Sequence, residues 1–257
     1  MPRVVLPFFL IAICQWHVSI AVIRNGYASK ADQVENALCK LRTTLASNTL
    51  SAYEKKSIRD RMRKMVLYLA FSDATDALLA QFKAISPELY DRIDSLKDAK
   101  SRPVDVYVKI ILREKATIMA AGVTRMLALE DDRDACSSEY GRQTVSIEIW
   151  AFASTLITLA HEMGHVAYQV PNFAQYLAYY QSKYHHPDIQ ADCMGHEPDD
   201  NGGRMAILFE REFKHDRALW INDTVEPLHL DSAPVLVLDA QKRISSELLP
   251  EIDRLRF

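Results

Sequence analysis

The chain is short of glycine and of net charge, and each shortage excludes a class of protein. Only 7 of its 257 residues are glycine, which disfavours an all-β fold rich in tight turns and favours a helix-rich one. Lysine and arginine (31) nearly balance aspartate and glutamate (34), so the net charge is −3. With no basic stripe in view, this balance indicates neither a nucleic acid nor another polyanion as a partner. Hydrophobic residues make up 49% of the chain, which is enough for a sizeable core.

Long apolar runs are absent except at the very start of the chain. Residues 4–14 form an apolar run after Arg3, and Ser19 and Ala21 provide a small-x-small cleavage site. This pattern predicts a signal peptide over residues 1–21, and therefore a secreted or periplasmic protein. The alternative is an N-terminal membrane anchor, although the run is short for crossing a bilayer. No later stretch is apolar for long enough, so we expect no stable membrane span after cleavage.

Cysteine is scarce as well. None of the four cysteines is spaced C-x-x-C, so a zinc site built from cysteines is not expected. Removal of the signal peptide takes Cys14 with it and leaves Cys39, Cys136 and Cys193. One disulfide is then possible, without an indication of which pair forms it, and at least one thiol has no partner within the chain.

The apolar spacing divides the remainder into two regions. Residues 22–101 are predicted to be a helical N-terminal region, because apolar residues recur there at helical spacing among solvated charges. Residues 102–257 are predicted to alternate between strands and helices. The expected strands are 104–112 and 144–150, with a late strand over 235–240. The expected helices are 154–169, 204–220 and 245–255, and residues 116–129 are compatible with a helix or a strand.

The sequence TLITLAHEMGHVAYQVP, over residues 155–171, carries the strongest chemical signal. His161 and His165 are one helical turn apart, so two imidazoles on one face can share a zinc ion. Glu162 is displaced from them by one residue, where it can act as the general base for a water on that metal. The apolar approach indicates a buried helix, in which these polar groups need a partner such as a metal. Gly164 is unfavourable in a helix interior, which indicates close packing there, for example by a strand or the substrate.

The HEMGH helix resembles that of the zincin metallopeptidases. The resemblance implies a zinc ion (Zn²⁺), a water nucleophile and hydrolysis of peptide bonds. It covers at most the half of the chain over residues 103–223. The extension that metzincins carry, a glycine and a third histidine, is absent, since Tyr168 and Pro171 stand in those places. The third ligand must therefore come from later in the chain.

Two glutamates on the next predicted helix are the leading candidates for that ligand. Glu210 lies in the more apolar stripe of this helix, and the run around it loosely resembles the corresponding helix of effector-type bacterial zinc peptidases; on that match Glu210 is the ligand. Glu212 with Asp216 matches a spacing found in other gluzincins, in which the aspartate supports the first histidine. The loop before this helix offers further candidates, namely His185, His186, Asp188, Asp192, His196 and Glu197.

The sequence therefore predicts an exported zinc metallopeptidase of the α+β class. Its core would be helix-rich and zincin-like, with a small sheet and the helical N-terminal region packed on it. His161, His165 and Glu210 would hold the metal, Glu162 would be catalytic, and the partner would be a peptide or protein substrate. Two alternatives stay open: a periplasmic peptidoglycan amidase or peptidase using the same zinc site, and a non-enzymatic exported binding module with a vestigial motif.

Overall fold

The computed structural model describes seven stretches of the chain, residues 22–98, 101–111, 121–127, 144–150, 155–172, 201–223 and 233–248. The predicted signal peptide and the loop candidates for the third ligand lie outside the described residues. Of the cysteines, Cys39 is within them, and it is exposed with a free thiol.

The N-terminal region is helical, as predicted, but it begins with a short strand. Strand β1 (Val22–Asn25) precedes helices α1 (Ala28–Leu45), α2 (Ala52–Ile85) and α3 (Pro87–Asp94). Helix α2 begins with a capping box, in which the Ser51 side chain accepts from the Glu54 backbone N–H and the Glu54 side chain accepts from the Ser51 N–H. Helix α3 begins at Pro87, a residue that favours the first turn of a helix.

A four-stranded mixed sheet joins the two predicted regions. Strands β2 (Asp105–Ile111), β3 (Gly122–Leu127) and β4 (Thr144–Trp150) combine with β1 in the order β1-β2-β4-β3. The β1/β2 and β2/β4 pairs are parallel, whereas β3 runs antiparallel to β4 at one edge. The predicted strands 104–112 and 144–150 are confirmed. Within 116–129 the described residues are 121–127, of which 122–127 form a strand rather than a helix.

One face of the sheet is buried against helices. Val106, Val108 and Ile110 of β2 alternate with less buried neighbours, and Val145, Ile147 and Ile149 of β4 share their face. All six side chains are fully buried. They belong to the same core cluster as buried residues of α1, α2 and α3. Helices α2 and α3 contact the sheet directly, and α1 packs on α2.

Three helices complete the described structure: α4 (Thr155–Gln169), α5 (Asn201–Asp223) and α6 (Ala233–Leu248). The predicted helices 154–169 and 204–220 are confirmed. The predicted strand over 235–240 is wrong, because these residues belong to α6. Leu236, Val237, Ala240 and Ile244 are its buried residues, a helical spacing, and a short apolar run does not by itself distinguish a strand from a buried helix.

The architecture is thus α+β, helix-rich with a small mixed sheet. Within the described ranges, no helix combines the length and apolarity needed to cross a membrane.

Candidate metal centre

Helix α4 carries the HEMGH motif into the interior. Leu156, Leu159, Ala160, Met163 and Val166 are almost completely buried and hold the helix against the sheet and its neighbours. This packing takes Glu162 and His165 inside with it, leaving them 6% and 7% exposed, respectively. The side chain of His161 is 22% exposed, on the side that faces α5. The prediction of a buried helix is therefore confirmed.

The two histidine rings lie beside each other, as their spacing predicts. Their centroids are 5.0 Å apart and their planes are inclined by 75°. Because both rings leave the helix from adjacent turns of one face, they present two imidazoles to the same region of space.

Gly164 lies where the backbones of α4 and α5 are in close contact. A Cβ at this position would lie 2.5 Å from the Cα of Ala206 and 2.7 Å from the carbonyl oxygen of Met205. The close packing expected at Gly164 is present, but the neighbour is the backbone of α5 rather than a strand or substrate. This contact fixes α5 beside the motif, one turn before Glu210.

Glu210 reaches the motif from α5. Its Oε2 lies 3.3 Å from the Nδ1 of His161, and its Oε1 accepts a hydrogen bond from the ammonium group of Lys214, one turn further along the helix. Partial burial acts to raise the pKa of Glu210, but the hydrogen bonds and positive charge of Lys214, and then of His161, outweigh it and hold that pKa below its usual value. The carboxylate is therefore charged and held beside the histidines.

Glu212 and Asp216 point away from the motif. An oxygen of Glu212 accepts a hydrogen bond of 2.6 Å from the guanidinium of Arg92, which also lies over the ring of Phe209 at 4.4 Å. Asp216 accepts a hydrogen bond from the hydroxyl of Ser86 between α2 and α3. Both carboxylates thus connect α5 to the N-terminal helices, and only Glu210 of these three approaches a histidine of the motif.

Glu162 is enclosed by strand β3. The hydroxyl of Thr124 donates a 2.6 Å hydrogen bond to Oε2 of Glu162, and a Cβ on Gly122 would lie 2.9 Å from its Oε1. Burial raises the pKa of Glu162 to about 7, although the Thr124 hydrogen bond acts to lower it. Strand β3 therefore both makes room for this carboxylate and orients it.

The types of side chain at this place suit zinc, although they do not all lie within ligand distance of one point. Two imidazoles and one carboxylate are a ligand set that zinc accepts, with a fourth position left for water or substrate. The His161–Glu210 contact joins an imidazole and a carboxylate directly, and His165 is one turn away. Over the described ranges, however, no three His, Cys, Asp or Glu side chains stand close enough to hold an ion together.

Comparison of the chain with protein-family models, curated proteins and solved structures finds no match.

Three residues of this site were not predicted from the sequence: Gly122, Thr124 and Lys214. Lys214 was detectable, because it follows Glu210 by four residues on a predicted helix and can pair with it. Thr124 and Gly122 gave no such signal, since 38 residues separate Thr124 from Glu162 along the chain and their contact depends on how the sheet packs on α4.

Proposed function

We propose that the protein is an exported, zinc-dependent peptidase with a zincin-like core. The observation that carries this proposal is the approach of Glu210 to His161, on the helix that also carries His165 and Glu162. Two imidazoles lie 5.0 Å apart, Glu210 lies beside one of them, and the carboxylate of Glu162 is buried on the same helix next to an edge strand.

His161, His165 and Glu210 would hold the metal. Zinc, when bound, supplies a Lewis acid that polarises a carbonyl and makes water more acidic. Lys214 keeps Glu210 charged and limits its motion, which prepares the carboxylate as a ligand. The contact at Gly164 holds the backbones of α4 and α5 together, so that the three donors come from two rigid helices.

Glu162 would move the proton. Its carboxylate accepts a proton from the attacking water and returns it to the nitrogen of the leaving amine. The hydrogen bond from Thr124 restricts the carboxylate to one rotamer, which favours a productive orientation. The apolar surroundings exclude competing water from that side of Glu162.

An extended peptide is the substrate that the neighbouring sheet favours. Strand β3 is an edge strand, and it contacts α4 at Glu162. Within the described strands, only β4 pairs with β3, on one side. A peptide that adds to the other side would lie alongside the motif, with its backbone held by main-chain hydrogen bonds. This arrangement supports peptide-bond hydrolysis over other reactions of a zinc-bound water.

Digestion assays test the proposal. We expect the purified protein to cleave an unfolded protein, to stop when a chelator removes the metal and to recover when zinc is added. The Glu162→Gln variant should bind zinc in stoichiometric amount but lose about 10²- to 10⁴-fold in kcat. If the protein cleaves cell-wall muropeptides but not the unfolded protein, its substrate is peptidoglycan rather than protein. Absence of stoichiometric zinc in the wild type would refute the enzyme and favour a binding module.

A further inference from the structure

The end of the α1–α2 hairpin carries a local charge that the net charge of the chain conceals. We call residues 40–64 the hairpin tip; they comprise the last turns of α1, the connection and the first turns of α2. The tip contains two acidic residues, Glu54 and Asp60, and eight basic ones, Lys40, Arg42, Lys55, Lys56, Arg59, Arg61, Arg63 and Lys64. Its net charge is therefore +6, which leaves −9 on the rest of a chain whose total is −3.

Most of the tip lies outside the core, so most of its charges face solvent. Within residues 40–64 only Met62 is buried, and Leu38 is the only buried residue of α1. Leu41, Leu45 and Ile58 are partly buried and pack against the core cluster, to which Leu38 and Met62 belong. The rest of the tip projects beyond these contacts as a largely exposed helical hairpin.

The two acidic residues of the tip are already engaged. Glu54 accepts hydrogen bonds from the N–H and the hydroxyl of Ser51 in the capping box. Asp60 pairs with Arg63 at 2.9 Å. Among the described residues, no carboxylate lies within ion-pair distance of Lys55, Lys56 or Arg59, so their charges are available to a partner.

The extreme end of the tip is uncharged and carries an exposed aromatic ring. Residues 46–53 read ASNTLSAY, and Tyr53 is 81% exposed. The basic residues stand behind this end, on the adjoining helical turns. Tyrosine prefers the boundary between apolar and aqueous phases, because its ring is apolar and its hydroxyl is polar.

A shallow cavity of about 270 Å³ opens beside the tip, between α1 and α2. Val34, Met65 and Tyr68 give it a largely apolar wall, and Arg61 and Lys64 lie at the same cavity. Two cations beside an apolar wall suit the phosphate of a lipid, which is linked through glycerol to apolar acyl chains. The phosphate of a nucleic acid is instead attached on both sides to polar sugars.

From these observations we infer that the hairpin tip binds the surface of an anionic phospholipid bilayer. Tyr53 and the uncharged end would enter the headgroup region, and the basic residues behind them would contact lipid phosphates. Such attachment is peripheral, requires no membrane-spanning helix and does not depend on the proposed peptidase activity.

Vesicle flotation with the full chain tests the inference. We expect the protein to float with vesicles that contain about one third phosphatidylglycerol, and much less with pure phosphatidylcholine, because each basic residue near an anionic surface adds to the attraction. The neutral vesicles also control for binding by the apolar residues 4–14. Binding to the anionic vesicles should weaken as salt is raised. Equal binding to both vesicles, or binding insensitive to salt, would overturn the inference.

Two matched variants locate the surface. Replacing Lys55, Lys56 and Arg59 by glutamine should weaken partitioning on the order of 100-fold. Replacing Lys30, Arg204 and Lys242 by glutamine removes as many exposed positive charges elsewhere and should leave partitioning almost unchanged. If this control loses as much binding as the first variant, the tip is not the binding surface.

Further measurements separate the inference from folding defects and from the other proposal. Circular dichroism should show that the variant with glutamine at Lys55, Lys56 and Arg59 is as helical as the wild type. If it is less helical, the single variant Lys56→Gln is tested instead, and it should weaken partitioning several-fold. Tyr53→Ser should weaken binding to anionic vesicles without a change in charge. Glu162→Gln should bind vesicles like the wild type, whatever the outcome of the peptidase assays. Displacement of the vesicles by duplex DNA at equal phosphate concentration would identify a nucleic-acid surface instead and overturn the bilayer.

Discussion

The Oε2 of Glu210 lies 3.3 Å from the Nδ1 of His161. This contact selects between the two glutamates that the sequence offers, because Glu212 is instead paired with Arg92 on the opposite side of the same helix. The two carboxylates are close in sequence, yet they serve different parts of the molecule. One lies at the motif, and the other fastens α5 to α3.

Glu210→Ala should lower zinc affinity by more than the roughly 10- to 100-fold typical of a residue that only supports a ligand. Glu212→Ala should leave zinc affinity unchanged and cost at most about 1 kcal/mol in the free energy of unfolding, since its ion pair with Arg92 is partly exposed. Competition with a coloured chelator measures the first quantity and urea unfolding the second. Equal loss of zinc affinity in both variants would contradict the assignment of Glu210.

Thr124→Val should lower kcat by about 10- to 100-fold, because the hydrogen bond that orients the charged Glu162 is lost. KM should change little, since both hydrogen bonds of the hydroxyl go to Glu162, one to its carboxylate and one to its backbone carbonyl oxygen. Thr124→Ser retains the hydroxyl and should retain most of kcat. Steady-state kinetics over a pH range separates this role from a merely structural one: a valine variant that is less stable but equally active per folded molecule would refute it.

The metal-free protein should be less stable at neutral than at mildly acidic pH through Glu162. Its folded pKa of about 7 is higher than the ordinary value of 4.5, so the folded state binds the proton more tightly. This contribution to stability is fully present below pH 4.5 and is lost as the pH rises towards 7. The difference amounts to about 3 kcal/mol.

Urea unfolding of metal-free wild type and Glu162→Gln at several pH values measures this contribution. The amide does not titrate, so the stability of the wild type relative to the variant should fall as pH rises through this interval. Zinc should flatten the dependence, since a nearby cation favours the carboxylate and lowers its pKa. A difference that stays constant with pH in the metal-free proteins would contradict the burial of an ionisable Glu162.

Gly164→Ala should destabilise the protein by about 1–3 kcal/mol, although the same change in an unconstrained helix is stabilising by up to about 1 kcal/mol. The reason is that the added Cβ would meet the backbone of Ala206, which cannot move aside like a flexible side chain. The separation of α4 from α5 should also weaken zinc binding. The denaturant midpoints of the two proteins show whether Gly164→Ala raises or lowers the free energy of unfolding. A variant more stable than the wild type would show that α4 and α5 are not in direct contact at this position.

Local patterns were enough to predict most of the elements, and the errors have physical reasons. Strands β2 and β4 and helices α4 and α5 have apolar spacings that suit one structure only. Strand β1 was missed because its four residues, VIRN, are too short for a period to appear; it forms because β2 provides a parallel partner. Residues 235–240 were mistaken for a strand because an apolar run of that length packs equally well as a buried helix.

The sequence by itself determined the spacing of His161, Glu162 and His165 and the helix that carries them. These features follow from local periodicity and composition, which do not depend on the remainder of the chain. Only the tertiary structure decided that Glu210 rather than Glu212 approaches His161, that Thr124 holds Glu162 and that the basic residues project from the core. Each of these is a contact, or an exposure, that is created when distant segments pack together, and no local pattern encodes which side of a helix its neighbours will cover.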